Sequence, residues 1–174
     1  MSKEYVTMPK EYWLGSGMLE AGCPWLTPGS IRFLEDFCKK SQEVLEFGSG
    51  GSTVFFSKRV MNVMSFETDK RWHNDVSGFL RNSAICNVNL FLVGSLAECL
   101  SIIGDRKFDI ALIDSGSLDR KKLAEASLSL VKEKGIIVLD NYSRYEMCQD
   151  FENKKKTAFD DRHWDGSGTK VYFL

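Results

Sequence analysis

The sequence has almost no net charge: 23 lysines and arginines stand against 24 aspartates and glutamates, leaving −1. No whole-molecule basic field therefore draws the chain to nucleic acid. The basic run Lys154-Lys155-Lys156 reads as a solvated loop rather than a phosphate patch. No apolar run approaches the length of a membrane span, and the N-terminal Met1-Ser2-Lys3-Glu4-Tyr5 is polar, without a signal-type apolar core. The five cysteines (Cys23, Cys38, Cys86, Cys99, Cys148) are odd in number and scattered, with no C-x-x-C pair. That spacing argues against a disulfide framework and against a zinc site. Cys38 and Cys99 fall on apolar helix faces and are expected to be buried thiols, at home in a reducing cytoplasm. Internal repeats, low-complexity tracts and a second domain are also missing.

What is present is ordinary globular composition, 43% hydrophobic and 27% charged, over 174 residues. That length suits one domain with a full core. Residues 1–27 carry large side chains (Tyr5, Met8, Tyr12, Trp13, Met18, Trp25) interrupted by glycines, without a clear period. They read as an irregular N-terminal arm packed on the domain or over a pocket, with residues 28–174 forming the domain itself.

From Thr27-Pro28 the chain alternates. Thr27 as N-cap and Pro28 at the first helical position start a helix with Ile31, Leu34 and Cys38 on one face. Strands follow at about 43–47, 62–67, 89–93, 108–113 and 136–139, with helices between them, one at about 118–132. Asp69 caps the helix carrying Trp72, Val76, Phe79 and Leu80. Ser95-Leu96-Ala97-Glu98 is a capping box. The strands are apolar almost throughout, as strands covered on both faces should be. A helix at about 144–153 and closing strands at about 157–161 and 169–173 complete the chain. The expected fold is α/β: a doubly wound, Rossmann-like sheet, mostly parallel with an antiparallel C-terminal strand, and helices on both faces.

The most informative stretch is Val44-Leu45-Glu46-Phe47-Gly48-Ser49-Gly50-Gly51-Ser52-Thr53. Strand, glycine turn and helix make the first half of a βαβ nucleotide-binding unit. Glycines let a backbone take positive φ and approach a ligand closely, and the helix N-terminus beyond offers N–H groups to an anion. The next strand ends in Glu67, 19 residues after Gly48, where such a unit places the carboxylate that grips a ribose diol. Glu46 stands where a dehydrogenase fingerprint has an apolar residue, and Thr53 stands where it has its third glycine. Each strand also ends in a polar residue on the ligand-binding edge of the sheet: Glu46, Glu67, Gly94-Ser95, Asp114 and Asp140-Asn141.

Glu46-x-Gly48-x-Gly50 with Glu67 resembles the class I S-adenosylmethionine (SAM) methyltransferases, over about residues 24–174. The resemblance implies that Glu46 belongs to the cofactor site, that Gly48 and Gly50 line the methionine part of SAM, and that Ser52 or Thr53 lies near its carboxylate. Glu67 would hold the ribose hydroxyls, Ser95 and Leu96 would border the adenine, and Asp114 would lie by the sulfonium. Pro24-Trp25-Leu26-Thr27, Asp140-Asn141-Tyr142-Ser143-Arg144 and Trp164-x-Gly-x-Gly-Thr169 are similar to a group of small bacterial methyltransferases. Asp114 with Asp140-Asn141 also resembles the magnesium ligands of catechol O-methyltransferase. Asp140-Asn141 otherwise reads as a strand-end turn, with the Asn side chain bonding local backbone. The basic lysine which that enzyme has three residues after its first metal aspartate is replaced here by Ser117, while Arg120, Lys121 and Lys122 come later, on the helix.

The expected activity is methyl transfer from SAM to oxygen or nitrogen of a small-molecule acceptor, with Mg²⁺ as a further expectation and no nucleic-acid or membrane partner. Asp114, Asp140 and His163 are the candidate catalytic residues. His163 falls in a late loop and, with an ordinary pKa near neutrality, could serve as a base, or it is a loop residue without a role. His73, the other histidine, reads as a surface or cap residue. Two competing readings are an NAD-type oxidoreductase, against which Glu46, Thr53 and the lack of a Tyr-x-x-x-Lys pair argue, and a SAM-binding or partner-binding module without turnover. Oligomeric state is open.

Overall fold

The computed structural model describes residues 17–147, 149–159 and 167–174. The first 16 residues, Cys148 and residues 160–166, including His163 and Trp164, lie outside the described residues. The described chain runs α1 (Gly17–Ala21), α2 (Pro28–Phe37), β1 (Glu43–Phe47), α3 (Gly51–Ser57), β2 (Asn62–Glu67), α4 (Lys70–Asn82) and β3 (Val88–Leu92). It continues α5 (Leu96–Ile103), β4 (Phe108–Ile113), α6 (Arg120–Leu130), β5 (Val131–Asp140), a 3-10 turn (Tyr142–Arg144), α7 (Gln149–Glu152), β6 (Lys155–Phe159) and β7 (Thr169–Phe173).

The seven described strands form one sheet in the order β3-β2-β1-β4-β5-β7-β6. β1 to β5 pair in parallel, and β7 enters antiparallel between β5 and β6. Side-chain alternation lets helices cover both faces of this sheet. Leu45 and Phe47 of β1 point to one face, where Cys99 and Ile103 of α5 and Leu123 and Ala124 of α6 cover them. Val44 points to the other, against Ile31 and Leu34 of α2 and Phe55 and Phe56 of α3. Both faces of the central strands are thus dry, as their unbroken apolar sequence requires. On the first face Phe47, Phe66 and Phe91 sit in register on β1, β2 and β3 and stack at centroid distances of 5.7 and 5.5 Å. Each such cross-strand pair stabilises by about 0.2–1 kcal/mol.

Local signals act as the residue types dictate. Asp69 accepts from Trp72 N–H at 2.9 Å and starts α4. Ser95 accepts from Glu98 N–H at 3.2 Å, while the Glu98 carboxylate reaches back to Gly94 N–H at 2.7 Å. Pro28 opens α2, but the Thr27 hydroxyl donates to Ser30 Oγ at 3.0 Å rather than capping the backbone.

Four expectations need correction. The helix expected at about 118–132 is shorter at both ends. Asp119 accepts from Lys121 and Lys122 N–H and starts it at Arg120. At the other end Val131 already pairs with Phe108, and β5 passes through an irregularity in which Lys134 takes φ 67° before Gly135. A Cβ on Gly135 would meet Asp109 O at 2.7 Å. β3 is an edge strand, half-exposed rather than buried on both faces. The helix expected at about 144–153 divides into the 3-10 turn and the short α7. Finally, Lys155 and Lys156 are not in a loop: they lie on β6, the other edge, where exposed lysines disfavour pairing with a further strand.

The described part of the arm, residues 17–27, packs into the core. Met18, Leu19, Cys23 and Leu26 are buried, and Gly51 approaches so closely that a Cβ there would stand 2.0 Å from Cys23 O.

Candidate functional site

The site is built at the carboxyl edge of the sheet, between β1 and β4. There the chain has crossed from β3 on one side to β4 on the other, the switch point at which open α/β sheets bind their ligands. Ladder hydrogen bonds fix the strand ends beside one another: Gly48 N–H to Phe66 O at 2.8 Å, Val93 N–H to Glu67 O at 2.9 Å, and Asp114 N–H to Phe47 O at 2.8 Å. Glu67, the glycine turn and Asp114 therefore emerge in a row.

The glycine turn is held tightly from below. Gly48 takes φ 98°, and a Cβ on it would lie 2.5 Å from Asp114 O. No side chain fits that approach. Glu46, on the same face of β1 as Val44, lies fully buried under α3. Its Oε2 accepts from Thr53 Oγ1 at 2.6 Å and Ser65 Oγ at 2.5 Å, and Thr53 Oγ1 in turn accepts from Gly50 N–H at 2.9 Å. Glu46 Oε1 is buried without a hydrogen-bond partner among the described residues. Burial pushes the Glu46 carboxyl up to about 7, against the pull of the Ser52, Ser65 and Thr53 hydroxyls. Glu46 and Thr53, both expected to touch the cofactor, have no exposed surface. They shape the turn rather than line it.

Glu67 stands beside the turn, 8% exposed. Its Oε2 accepts from Ser49 N–H and Ser49 Oγ, both at 3.0 Å, and its Oε1 accepts from Thr68 N–H at 2.7 Å and Asp69 N–H at 2.9 Å. The carboxylate thus ties the glycine turn to the start of α4. Trp72, which the sequence places only on an apolar stripe, crosses from α4 over the turn. Its indole N–H donates to Ser49 O at 2.8 Å, and its ring lies 3.6 Å from where a Gly50 Cβ would be. A tryptophan one turn into the helix after the ribose-type acid is the signal that could have found it. Ser117 Oγ donates to Thr68 Oγ1 at 2.6 Å, linking the loops after β4 and β2. Ser95 and Leu96 lie at the end of β3, where Ser95 caps α5. Ser52 is nearly buried at the start of α3. His73 is half-buried, with its Nδ1 unpartnered among the described residues.

On the β4–β5 side the structure brings Asp114, Asp140 and Asn141 together around one guanidinium. Arg120 Nη2 lies 2.8 Å from Asp114 Oδ1. Its Nη1 donates to Asn141 Oδ1 at 2.8 Å and to Asp140 O at 3.1 Å, and lies 3.7 Å from Asp140 Oδ2. Its Nε donates to Ser115 O at 2.8 Å. Asp140 Oδ1 also accepts from Thr169 Oγ1 at 2.8 Å, and Asn141, at φ 53°, donates through Nδ2 to Ser167 Oγ. The expected Mg²⁺ on Asp114, Asp140 and Asn141 does not fit this arrangement, because a positive group already faces all three. No cluster of three or more His, Cys, Asp or Glu suited to a metal occurs among the described residues. A sequence signal for Arg120 existed: a cation at the first helical position opposes the helix dipole and calls for carboxylates nearby.

No family model matches the sequence, and no curated protein matches it. Solved structures do. An O-methyltransferase from Bacillus cereus in complex with S-adenosylhomocysteine (SAH) shares 17% identity at a TM-score of 0.72, covering 98% of this chain and 94% of that one. The O-methyltransferase TomG from Streptomyces achromogenes, involved in tomaymycin synthesis and solved with SAM, shares 13% at 0.70, covering 97% and 99%. An rRNA methylase from Streptococcus thermophilus shares 19% at 0.61, covering 83% and 93%. The chain has the Rossmann-like fold of the class I SAM-dependent methyltransferases.

Proposed function

We propose that the protein is a SAM-dependent methyltransferase acting on an oxygen or nitrogen of a small molecule. The observation that carries the reading is the junction of Glu67 with the glycine turn at the switch point. A carboxylate already aligned by backbone N–H groups is ready to accept from a ribose diol, with Ser49 Oγ free to rotate away. Near-complete overlap with O-methyltransferases solved with SAH and SAM supports it.

In this reading Gly48 and Gly50 give the methionine part of SAM close access to backbone, Ser52 stands near its carboxylate, and Ser95 and Leu96 border the adenine. Trp72 and the Glu46–Thr53 pair keep the turn rigid. SAM supplies an already activated methyl group, so the protein's part is alignment and exclusion of water. Asp114 and Asp140 lie at the edge where an acceptor would be positioned. Recognition of the acceptor falls to the arm and to residues 141–168, since residues 28–174 form a single domain without a separate substrate unit. A small molecule is favoured over rRNA by the net charge of −1 and by the fuller overlap with the O-methyltransferases.

Turnover of methyl-labelled SAM against a panel of phenols, hydroxy acids and amines tests the reading. Label appearing in a small-molecule product is the expected result. Label transferred only to RNA would overturn the acceptor class.

A further inference from the structure

We propose that Arg120 is a built-in cation that takes the place of a divalent metal between Asp114, Asp140 and Asn141, so that this edge of the site works without one. The inference deepens the methyltransferase reading and rests on it for its functional meaning.

The guanidinium is not a loose surface group. Its side chain is 12% exposed, and two backbone carbonyls, Ser115 O and Asp140 O, fix its plane from the β4 and β5 ends. Its ion pair with Asp114 Oδ1 and its hydrogen bond to Asn141 Oδ1 are both at 2.8 Å. Four of its five N–H groups are thereby directed at named oxygens, with the Asp140 carboxylate 3.7 Å away. Arginine stays protonated at any ordinary pH, so the charge is permanent.

A Mg²⁺ ion would need these same oxygens in a near-octahedral shell at about 2.0–2.1 Å. Reaching it would require withdrawing the guanidinium from Asp114 Oδ1 and Asn141 Oδ1 and holding +2 beside +1. The position of Arg120 at the start of α6 makes the charge unfavourable unless acids face it, and two do. A chemical consequence follows. A metal invites an acceptor with two adjacent oxygens that can chelate, whereas a guanidinium offers single N–H donors. An acceptor with one oxygen or nitrogen suffices here.

Titration with Mn²⁺, followed by electron paramagnetic resonance of the free ion, reads the proposal without any acceptor. The wild-type protein should take up no site-bound Mn²⁺, and its melting temperature should not move with Mg²⁺ or with EDTA. Arg120→Ala should melt lower by on the order of 10 °C, because the charge facing the buried Asp140 and partly buried Asp114 carboxylates is gone. It should also gain one Mn²⁺ site, and Arg120→Ala/Asp140→Asn should lose that site. One Mn²⁺ bound to the wild type and abolished by Asp140→Asn would overturn the proposal. So would an Arg120→Ala protein that melts as the wild type does, or that folds and binds no Mn²⁺. If Arg120→Ala does not fold, the wild-type titration decides alone. SAM binding followed in parallel separates failure of this inference from failure of the methyltransferase reading.

Discussion

Glu46 and Glu67 end neighbouring positions of the same sheet edge, yet the structure gives them opposite environments. Glu67 accepts three backbone N–H groups and two hydroxyls, and replacing it touches both binding and the fold. Glu67→Gln keeps shape and loses charge. SAM binding should weaken by about 1.5–3 kcal/mol, measured calorimetrically, with the melting temperature recorded to confirm folding. Unchanged affinity in a folded variant would remove Glu67 from the site. Glu46 is raised to about 7 by burial, above its unfolded value. Between about pH 4.5 and 7 the native state therefore holds a proton that the unfolded state has lost. Stability from this group is fully present below the unfolded pKa and falls as pH rises, by up to about 3 kcal/mol across the window. Urea midpoints at pH 5.5 and 8 should converge in Glu46→Gln relative to wild type. Equal pH dependence in both proteins would show that Glu46 does not titrate in that range.

Elements whose residues alternate by period were legible from the sequence, and elements shaped by backbone contact were not. The succession of β1 to β5 along the chain and the caps at Asp69 and Ser95 follow from apolar runs and short polar signals, and both are seen; the order of the strands within the sheet was not legible. The early end of α6 at Leu130 was not legible, since Ser-Leu-Val-Lys continues a helical pattern. Pairing of Val131 with Phe108 decides it, and that is a tertiary effect. In the glycine turn the types were right but the reasons were partly structural. Gly48 and Gly51 are required by the backbone of Asp114 and Cys23, which the sequence could not show. Gly51→Ala should cost about 1–3 kcal/mol or more, since backbone must move. Gly116→Ala, where nothing lies within 4 Å of the added Cβ, should stay within about 0.5 kcal/mol. Denaturant midpoints of the two variants check the contrast, and equal effects would contradict the packing described. Thiol chemistry offers another check. Burial pushes Cys23 and Cys38 up to about 12 and Cys99 to about 11, so exposed Cys86 should react with a thiol reagent at pH 8 well before these three. Mass mapping that found Cys23 labelled first would refute it.

For the whole molecule, the glycine turn and Glu67 share one edge of the sheet, which we propose binds the nucleoside of SAM, and the charged cluster around Arg120 lies beside it on β4 and β5. The cluster was half-legible: the sequence placed the three oxygen ligands at neighbouring strand ends but not the guanidinium between them, because helix position alone does not give side-chain direction. The central claim is that the edge is built for SAM rather than for a dinucleotide. Isothermal titration of the wild-type protein with SAM, SAH and NAD tests it most directly. SAM and SAH should each bind once per chain and compete with each other, with NAD weaker than both. NAD bound as tightly as SAM or more tightly, or no heat with SAM and SAH in a folded protein, would contradict the account.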